Sequence, residues 1–348
     1  MNTIQIWNFE ISDSSETFII AELSANHGGK IENAKKIIKA AAESWANAIK
    51  MQTYTADTMT IDSNKKDFQI NSWTAWDGKT LYELYGEAYT PWEWHKELME
   101  YSNSLWLEFF SSPFDETAVD FLEELWVPCH KIASFENNDI PLIKKVAQTG
   151  KPIIISTGMS TYDDVKLAVD TIIWEWNEQI VLLKCTSAYP AAYEEMNIKT
   201  IQSFRDDFEV IPGLSDHTLW IEVPIASVAL WAKVIEKHFC ISRDIPTADS
   251  HFSLEPLELK QLVQSVRNIE KAVWKVSYTI WEKEKSSCQF KRSIYIAEDV
   301  KKWDILTKEN LRIVRPWYGL APKYYEDFLG KAVSQDLEKG TAFKKNFI

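Results

Sequence analysis

The sequence predicts an α/β chain: a (β/α)8 TIM barrel followed by a small β-rich domain. Three observations carry this. Strand-like and helix-like segments alternate over roughly 250 residues, the usual length of one such barrel. The predicted strands end in similar polar groups: Glu22, Lys50 with Gln52, Ser111 with Ser112, Lys131 with Ser134, Ser156, Lys184, His217 and His238. From about residue 286 the texture changes to short strands and turns. One polar residue ending a strand means little. Repeated on strand after strand, it argues for a single ring of groups at the carboxyl ends, where these barrels hold their active sites. An open doubly wound sheet would also give the alternation, but no GxGxxG or P-loop marks a nucleotide site.

The elements follow in order. Residues 18–23 form a short apolar run, and a 3.6-residue spacing predicts a helix over 31–44. Residues 48–52 read as a strand with Lys50 and Gln52 on one face, because alternate side chains of an extended chain point the same way. Residues 57–93 are polar and aromatic, with no clear period; helical spacing resumes at 94–102. Strands at 107–111, 128–133, 152–156 and 179–185 then alternate with helices at 116–125, 140–148 and 162–173. A helix at 198–205 precedes the last two strands, whose apolar runs are 208–212 and 232–235, and a final helix spans 256–273. The charged residues 275–287 read as a linker, giving domains 1–283 and 284–348. In the second domain residues 299–306 echo residues 336–343, aligning Asp299 with Asp336 and Trp303 with Gly340, which predicts a pseudo-repeat.

Of the 348 residues, 45% are hydrophobic, enough for a large core, and the net charge is −13. That balance argues against a general nucleic-acid or anionic-membrane binder, while a locally basic pocket for an anionic substrate stays open. The first ten residues lack the basic start and apolar stretch of a signal peptide, and no apolar run reaches membrane-spanning length. The four cysteines, Cys129, Cys185, Cys240 and Cys288, are far apart and read as reduced thiols, so a cytoplasmic protein is expected.

Two motifs stand at the last two strand ends: Gly213-Leu214-Ser215-Asp216-His217 and Glu236-Lys237-His238. Alternation puts Ser215 with His217, and Glu236 with His238. Two histidines at adjacent strand ends, beside carboxylates, suit a divalent metal with open coordination positions. The plainer alternative is a pair of hydrogen-bonded structural histidines.

The chain has 16 Trp and only 10 Gly. Trp45, Trp106, Trp126 and Trp231 each fall between a helix and the next strand, at the left-handed position that prefers glycine. Tryptophan there costs on the order of 1–2 kcal/mol per site. Some bacteria decode UGA as glycine and others as tryptophan, so these positions read as glycine codons translated with the wrong table. UGG codons at Trp45, Trp126, Trp231 and Trp303 would contradict this. Trp76, Trp92 and Trp94 lie outside the pattern.

Several stretches together carry a resemblance. They are Ala21-Glu22-Leu23-Ser24-Ala25-Asn26-His27, Ile49-Lys50-Met51-Gln52-Thr53-Tyr54, Phe110-Ser111-Ser112-Pro113-Phe114, Lys131-Ile132-Ala133-Ser134-Phe135-Glu136, Ser156-Thr157-Gly158-Met159, Lys184-Cys185-Thr186, Tyr189-Pro190, and the two histidine motifs. In this order, through nearly the whole chain, they resemble the sialic acid synthase family. The resemblance implies a barrel followed by an antifreeze-like (SAF) domain, and a domain-swapped homodimer. It implies a phosphoenolpyruvate-dependent C–C bond-forming transferase that condenses phosphoenolpyruvate with an N-acetylated amino sugar. Within the family, residues 53–60, 76–85 and 90–95 are similar to those of pseudaminic acid synthases. N-acetylneuraminate synthases typically carry Asn where Ser187 stands; the N-acetylneuraminate and legionaminic acid synthases remain the alternatives. Positions 45, 126, 220, 231, 303 and 317 are usually glycine in the family.

The resemblance also implies roles. His217 and His238 would hold Mn²⁺ or Mg²⁺, which acts as a Lewis acid on the sugar aldehyde. Lys50 and Lys131 would bind phosphoenolpyruvate, with Ser112, Ser134, Ser156, Ser187 and Ser215 donating hydrogen bonds to it. Gln52, Glu136, Tyr189 and Asp249 match positions lining the sugar pocket. Arg315 would reach across the dimer to the N-acyl group. Glu22 is the candidate acid/base, or the group that orients the attacking water. The aromatic-rich stretch 76–94 is expected to supply an apolar surface if it folds over the barrel mouth. Two competing readings are a Schiff-base aldolase using Lys131 or Lys184 and a carbohydrate-binding protein without catalysis.

Overall fold

A computed structural model describes residues 3–71, 77–273 and 275–348, which fall into two compact units, 1–274 and 275–348. The first begins with an antiparallel hairpin, β1 (Ile4–Ile6) and β2 (Phe9–Ile11). It buries Ile4, Ile6 and Ile11, and Asn8 donates through its backbone and side-chain nitrogens to Glu108 Oε1. These three-residue strands were not legible in the sequence.

Eight parallel strands follow: β3 (Phe18–Glu22), β4 (Ala48–Thr53), β5 (Glu108–Pro113), β6 (His130–Ile132), β7 (Ile153–Ser156), β8 (Ile180–Cys185), β9 (Ile211–Asp216) and β10 (Val234–His238). They close into a barrel in which β10 pairs with both β9 and β3. Closure rules out the open doubly wound sheet. Register fixes depth: His238 stands beside Glu22, and Glu22 beside Lys50. Gly213 is required by close packing, because a Cβ there would lie 2.4 Å from the Val234 carbonyl and 2.5 Å from Leu183 Cδ2.

The helices are α1 (Ile31–Glu43), α2 (Ala56–Met59), α3 (Leu81–Ala88), α4 (His95–Ser104), α5 (Glu116–Glu124), α6 (Ile140–Ala147), α7 (Tyr162–Trp174), α8 (Thr200–Phe208), α9 (Glu222–Ala229) and α10 (Pro256–Ala272). Most form because an apolar stripe can be buried on the barrel: α1 buries Ala34, Ile37, Ile38 and Ala41, and α10 buries Leu259, Leu262, Val263 and Val266. Side-chain caps start several of them. Asp115 accepts from the Thr117 and Ala118 amides, and Thr161 and Thr80 form capping boxes with Asp164 and Glu83. Two helices in the aperiodic segment 57–93, and the helix α9, were not legible in the sequence.

The tryptophans stand where their spacing implied. Trp45, Trp106, Trp126, Trp176 and Trp231 have φ of 64°, 60°, 60°, 62° and 76°. Each helix end there is a Schellman motif: Trp45 N–H donates to the Ala42 carbonyl and Ala46 N–H to the Ala41 carbonyl, and the same pair of bonds recurs at the other four. After α6 the equivalent residue is Gly150, with φ 70°. The five side chains are exposed, so burial does not offset the backbone strain. Trp7, in the β1–β2 turn, is also left-handed, at φ 40°. Trp220 and Trp317 have no positive φ, so strain does not account for a glycine preference there. Trp92 packs on Phe121 and donates to the Tyr54 carbonyl, and Trp94 packs on His27. Trp76 lies outside the described residues. Replacing Trp45, Trp106, Trp126, Trp176 or Trp231 by Gly is expected to raise stability by about 1 kcal/mol each, the left-handed penalty less glycine's entropy cost. Urea titration checks this; unchanged or lower midpoints would contradict it.

In the second unit β11 (Ser293–Ile296) pairs with β12 (Leu311–Val314). The sequence echo is a pseudo-twofold. Val300 and Leu337 exchange backbone hydrogen bonds; Asp336 Oδ1 accepts from Lys302 N–H, and Asp299 Oδ1 from Lys339 N–H. Trp303 and its counterpart Gly340 have φ of 77° and 87°.

Candidate active site

The carboxyl ends of the barrel strands enclose a cavity of about 290 Å³. Of the residues singled out in the sequence, it is lined by Glu22, Lys50, Gln52, Lys131, Ser134, Glu136, Ser156, Tyr189, Ser215, His217, His238 and Asp249. Ser112 lies one layer back and accepts from Lys50 Nζ at 3.2 Å. Ser187 also stands behind the lining, against Gly158, where a Cβ would come within 2.1 Å of its hydroxyl. Gly158 N–H donates to Ser134 Oγ, so glycine lets the hydroxyls of Ser134 and Ser187 close on one backbone turn. Arg315 belongs to the second unit, whereas every residue lining the cavity belongs to the first. Lys184 is not part of the ring. Cys185 is the register partner of the inward-facing Ser215, so Lys184 faces the other way, and its ammonium donates to the Cys185 carbonyl and Thr186 Oγ1.

Two cations sit at the floor in different environments. Lys50 Nζ is 2.7 Å from Glu22 Oε2 and 3.7 Å from Glu236 Oε1. Burial works against its charge, but the two carboxylates outweigh burial and its pKa rises. Lys131 is 1% exposed and donates to Ser156 Oγ at 2.6 Å and to the Ile132 carbonyl. Among the described residues no carboxylate is ion-paired or hydrogen-bonded to it, and burial lowers its pKa. An incoming anion would complete this lysine's coordination. Glu22 also accepts from Gln52 Nε2 at 2.9 Å. Desolvation pushes its pKa to about 7 against the pull of Lys50, the range that serves proton transfer at neutral pH. Glu136 is likewise pushed to about 7 by burial, and its Oε2 has no hydrogen-bond partner.

The two histidines face each other, with ring centroids 5.3 Å apart. His217 Nδ1 donates to the Thr186 carbonyl at 2.9 Å, which leaves Nε2 as a lone-pair donor. His238 Nδ1 is buried without a hydrogen bond, and Asp249 Oδ2 lies 3.9 Å away. Burial holds the His238 pKa well down, in the unprotonated form that can ligate. Among the described residues no group of three or more His, Cys, Asp or Glu is placed to hold an ion. Two imidazoles alone are a sparse donor set, and a cation held by them would need water or substrate oxygens to complete its coordination.

The cavity also has residues not singled out as site residues in the sequence. Glu236 lies on the His238 face, two residues before it, and that alternation was the available signal. Ser24 is held in the left-handed region at φ 48°; its hydroxyl donates to Asp249 Oδ2 and accepts from Gln52. One wall is apolar: Tyr54, Met59, Leu84, Tyr85, Ala88 and Phe114. Most of it comes from α2 and α3, so the aperiodic segment does fold over the mouth. Its Trp92 and Trp94 pack elsewhere and do not line the cavity.

Residues 37–278 match the NeuB family, and residues 291–348 match the SAF domain. The pseudaminic acid synthase of Campylobacter jejuni strain 81-176 is 44% identical, with 99% of each chain covered. The N,N'-diacetyllegionaminic acid synthase of Legionella pneumophila is 38% identical, over 94% of this chain and 93% of that one. Among solved structures, N-acetylneuraminic acid (sialic acid) synthetase from Leptospira borgpetersenii superposes with a TM-score of 0.73 at 30% identity, covering 82% of this chain and 95% of that chain.

Proposed function

The chain belongs to the NeuB family, and from that premise we propose that it is a pseudaminic acid synthase. It condenses phosphoenolpyruvate with 2,4-diacetamido-2,4,6-trideoxy-L-altrose to give pseudaminic acid and phosphate. The observation that carries this reading is the cavity itself: two buried lysines and a set of hydroxyls on its floor, two adjacent imidazoles, and an apolar wall at the mouth. The identity to the Campylobacter pseudaminic acid synthase, spread over the whole chain, supports the choice of sugar.

Phosphoenolpyruvate is multiply anionic. Lys50 and Lys131 neutralise it, Ser134, Ser156 and Ser215 fix its phosphate and carboxylate, and Ser112 and Ser187 support them from behind the lining. Mn²⁺ or Mg²⁺ held by His217 and His238 would polarise the sugar aldehyde as a Lewis acid. C3 of phosphoenolpyruvate bonds to the aldehyde carbon, whose oxygen takes up a proton. Water adds at C2, and phosphate departs with C–O cleavage. Glu22 accepts the proton of that water, a role its position beside Lys50 and its raised pKa allow. Gln52, Glu136, Tyr189 and Asp249 orient the sugar. Arg315, supplied by the second copy of a domain-swapped homodimer, meets the N-acyl group. The enzyme is placed in the cytoplasm. The barrel domain is 1–283 and the SAF domain 284–348.

Phosphoenolpyruvate carrying ¹⁸O at its bridging oxygen tests the reaction class. With the altrose sugar and Mn²⁺, the label is expected in the released phosphate, one phosphate per nine-carbon acid formed. Unlabelled phosphate, or consumption of pyruvate in place of phosphoenolpyruvate, would contradict the proposal.

A further inference from the structure

Behind the two histidines, on the outer face of the barrel, lies a buried ion pair. Asp216 and Lys237 are register partners on β9 and β10, and each immediately precedes a cavity histidine. Alternation turns both away from the cavity, into the layer between strands and helices. Lys237 Nζ donates to Asp216 Oδ2 at 2.5 Å and to the Thr218 carbonyl. Asp216 accepts from Thr218 N–H at 3.1 Å and from Thr218 Oγ1 at 2.9 Å. All three residues are at most 1% exposed. Many outward-facing residues elsewhere in the barrel, including Ala21 beside Lys237 and Met51, Ile132 and Ile155, are apolar, while Thr53, Ser111 and His130 are polar and hydrogen-bonded and Lys184 reaches the strand end.

Stability is a poor reason for charges here. Desolvating both groups consumes much of their attraction, and apolar residues of similar volume commonly do as well or better. The pair supplies geometry instead. Lys237 adjoins His238 in the chain, and it grips the residue before His217 and the residue after it. The backbone of His217 is thus pinned on both sides to the strand carrying His238. We propose that Lys237, Asp216 and Thr218 are positioning residues that set the separation and aim of the two imidazoles, so that both reach one cation. This rests on the reading of His217 and His238 as ligands.

The test measures Mn²⁺ binding by the electron paramagnetic resonance signal of free Mn²⁺, alongside thermal melting, in the full chain. The double variant Asp216→Leu/Lys237→Met replaces the pair with an apolar one and is expected to melt close to the parent. Its Kd for Mn²⁺ is expected to rise about 10–100-fold, the usual effect of losing the support behind a ligand. Asp216→Asn, which keeps the volume and an acceptor for the Thr218 N–H, should weaken binding by a smaller factor and serves if the double variant does not fold. Parent-like affinity in either folded variant would overturn the proposal, because a merely structural pair moves melting and not Mn²⁺ binding. A parent that binds no Mn²⁺, or binds it equally after His217→Ala, would instead sink the ligand reading on which the proposal stands.

Discussion

Alanine in place of His217 or His238 is expected to lower kcat by about 100-fold or more at saturating Mn²⁺. Lewis-acid stabilisation is worth several kcal/mol, and each 1.36 kcal/mol is tenfold in rate. The same variants should keep most of their stability. Buried polar atoms are nearly always hydrogen-bonded, and a structural histidine would have its nitrogens satisfied. His238 Nδ1 is not, so truncation there breaks no hydrogen bond at that atom. His217 loses its bond to the Thr186 carbonyl and a long contact with Cys185 Sγ. A steady-state assay after EDTA treatment and Mn²⁺ addition, with a thermal melt of each protein, separates activity from folding. Near-normal turnover of both variants after EDTA treatment would mean that the metal assignment is wrong.

Much of this site was legible in the sequence for a simple reason. Strands buried on both faces are continuous apolar runs, so a lysine, serine or histidine at the end of one is conspicuous. Alternation then gives the facing: Glu236 with His238, Ser215 with His217. The same rule, applied to Cys185, excludes Lys184 from the ring. What failed to show in the sequence has local causes. The helix α9 carries Pro224 and is apolar on most sides, so it has no stripe to detect. β1 and β2 are too short for a period. The helix α3 is announced only by the Thr80–Glu83 capping box, and its contribution to the cavity wall depends on tertiary placement. The tryptophans were informative through what their backbone does. At five helix ends they occupy left-handed positions with exposed rings, and in the second unit Trp303 mirrors Gly340.

The choice of sugar rests on the identity to the Campylobacter pseudaminic acid synthase, and the apolar wall suits it. Met59, Leu84 and Ala88 offer no hydrogen bond, and the ring edges of Tyr54 and Phe114 pack against each other beside them. A 6-deoxy sugar presents a methyl to such a surface. N-acetylmannosamine would present a hydroxyl there, leaving it unpaired at a cost of about 1–3 kcal/mol. It also lacks the second acetamido group. The two losses together predict discrimination of about 100-fold or more in kcat/KM. The legionaminic precursor carries the same substituents in a different configuration, so stereochemistry alone sets it apart. The deciding measurement is phosphate release from phosphoenolpyruvate with 2,4-diacetamido-2,4,6-trideoxy-L-altrose, its legionaminic counterpart and N-acetylmannosamine. The highest kcat/KM is expected for the altrose sugar; a kcat/KM highest for N-acetylmannosamine would contradict it.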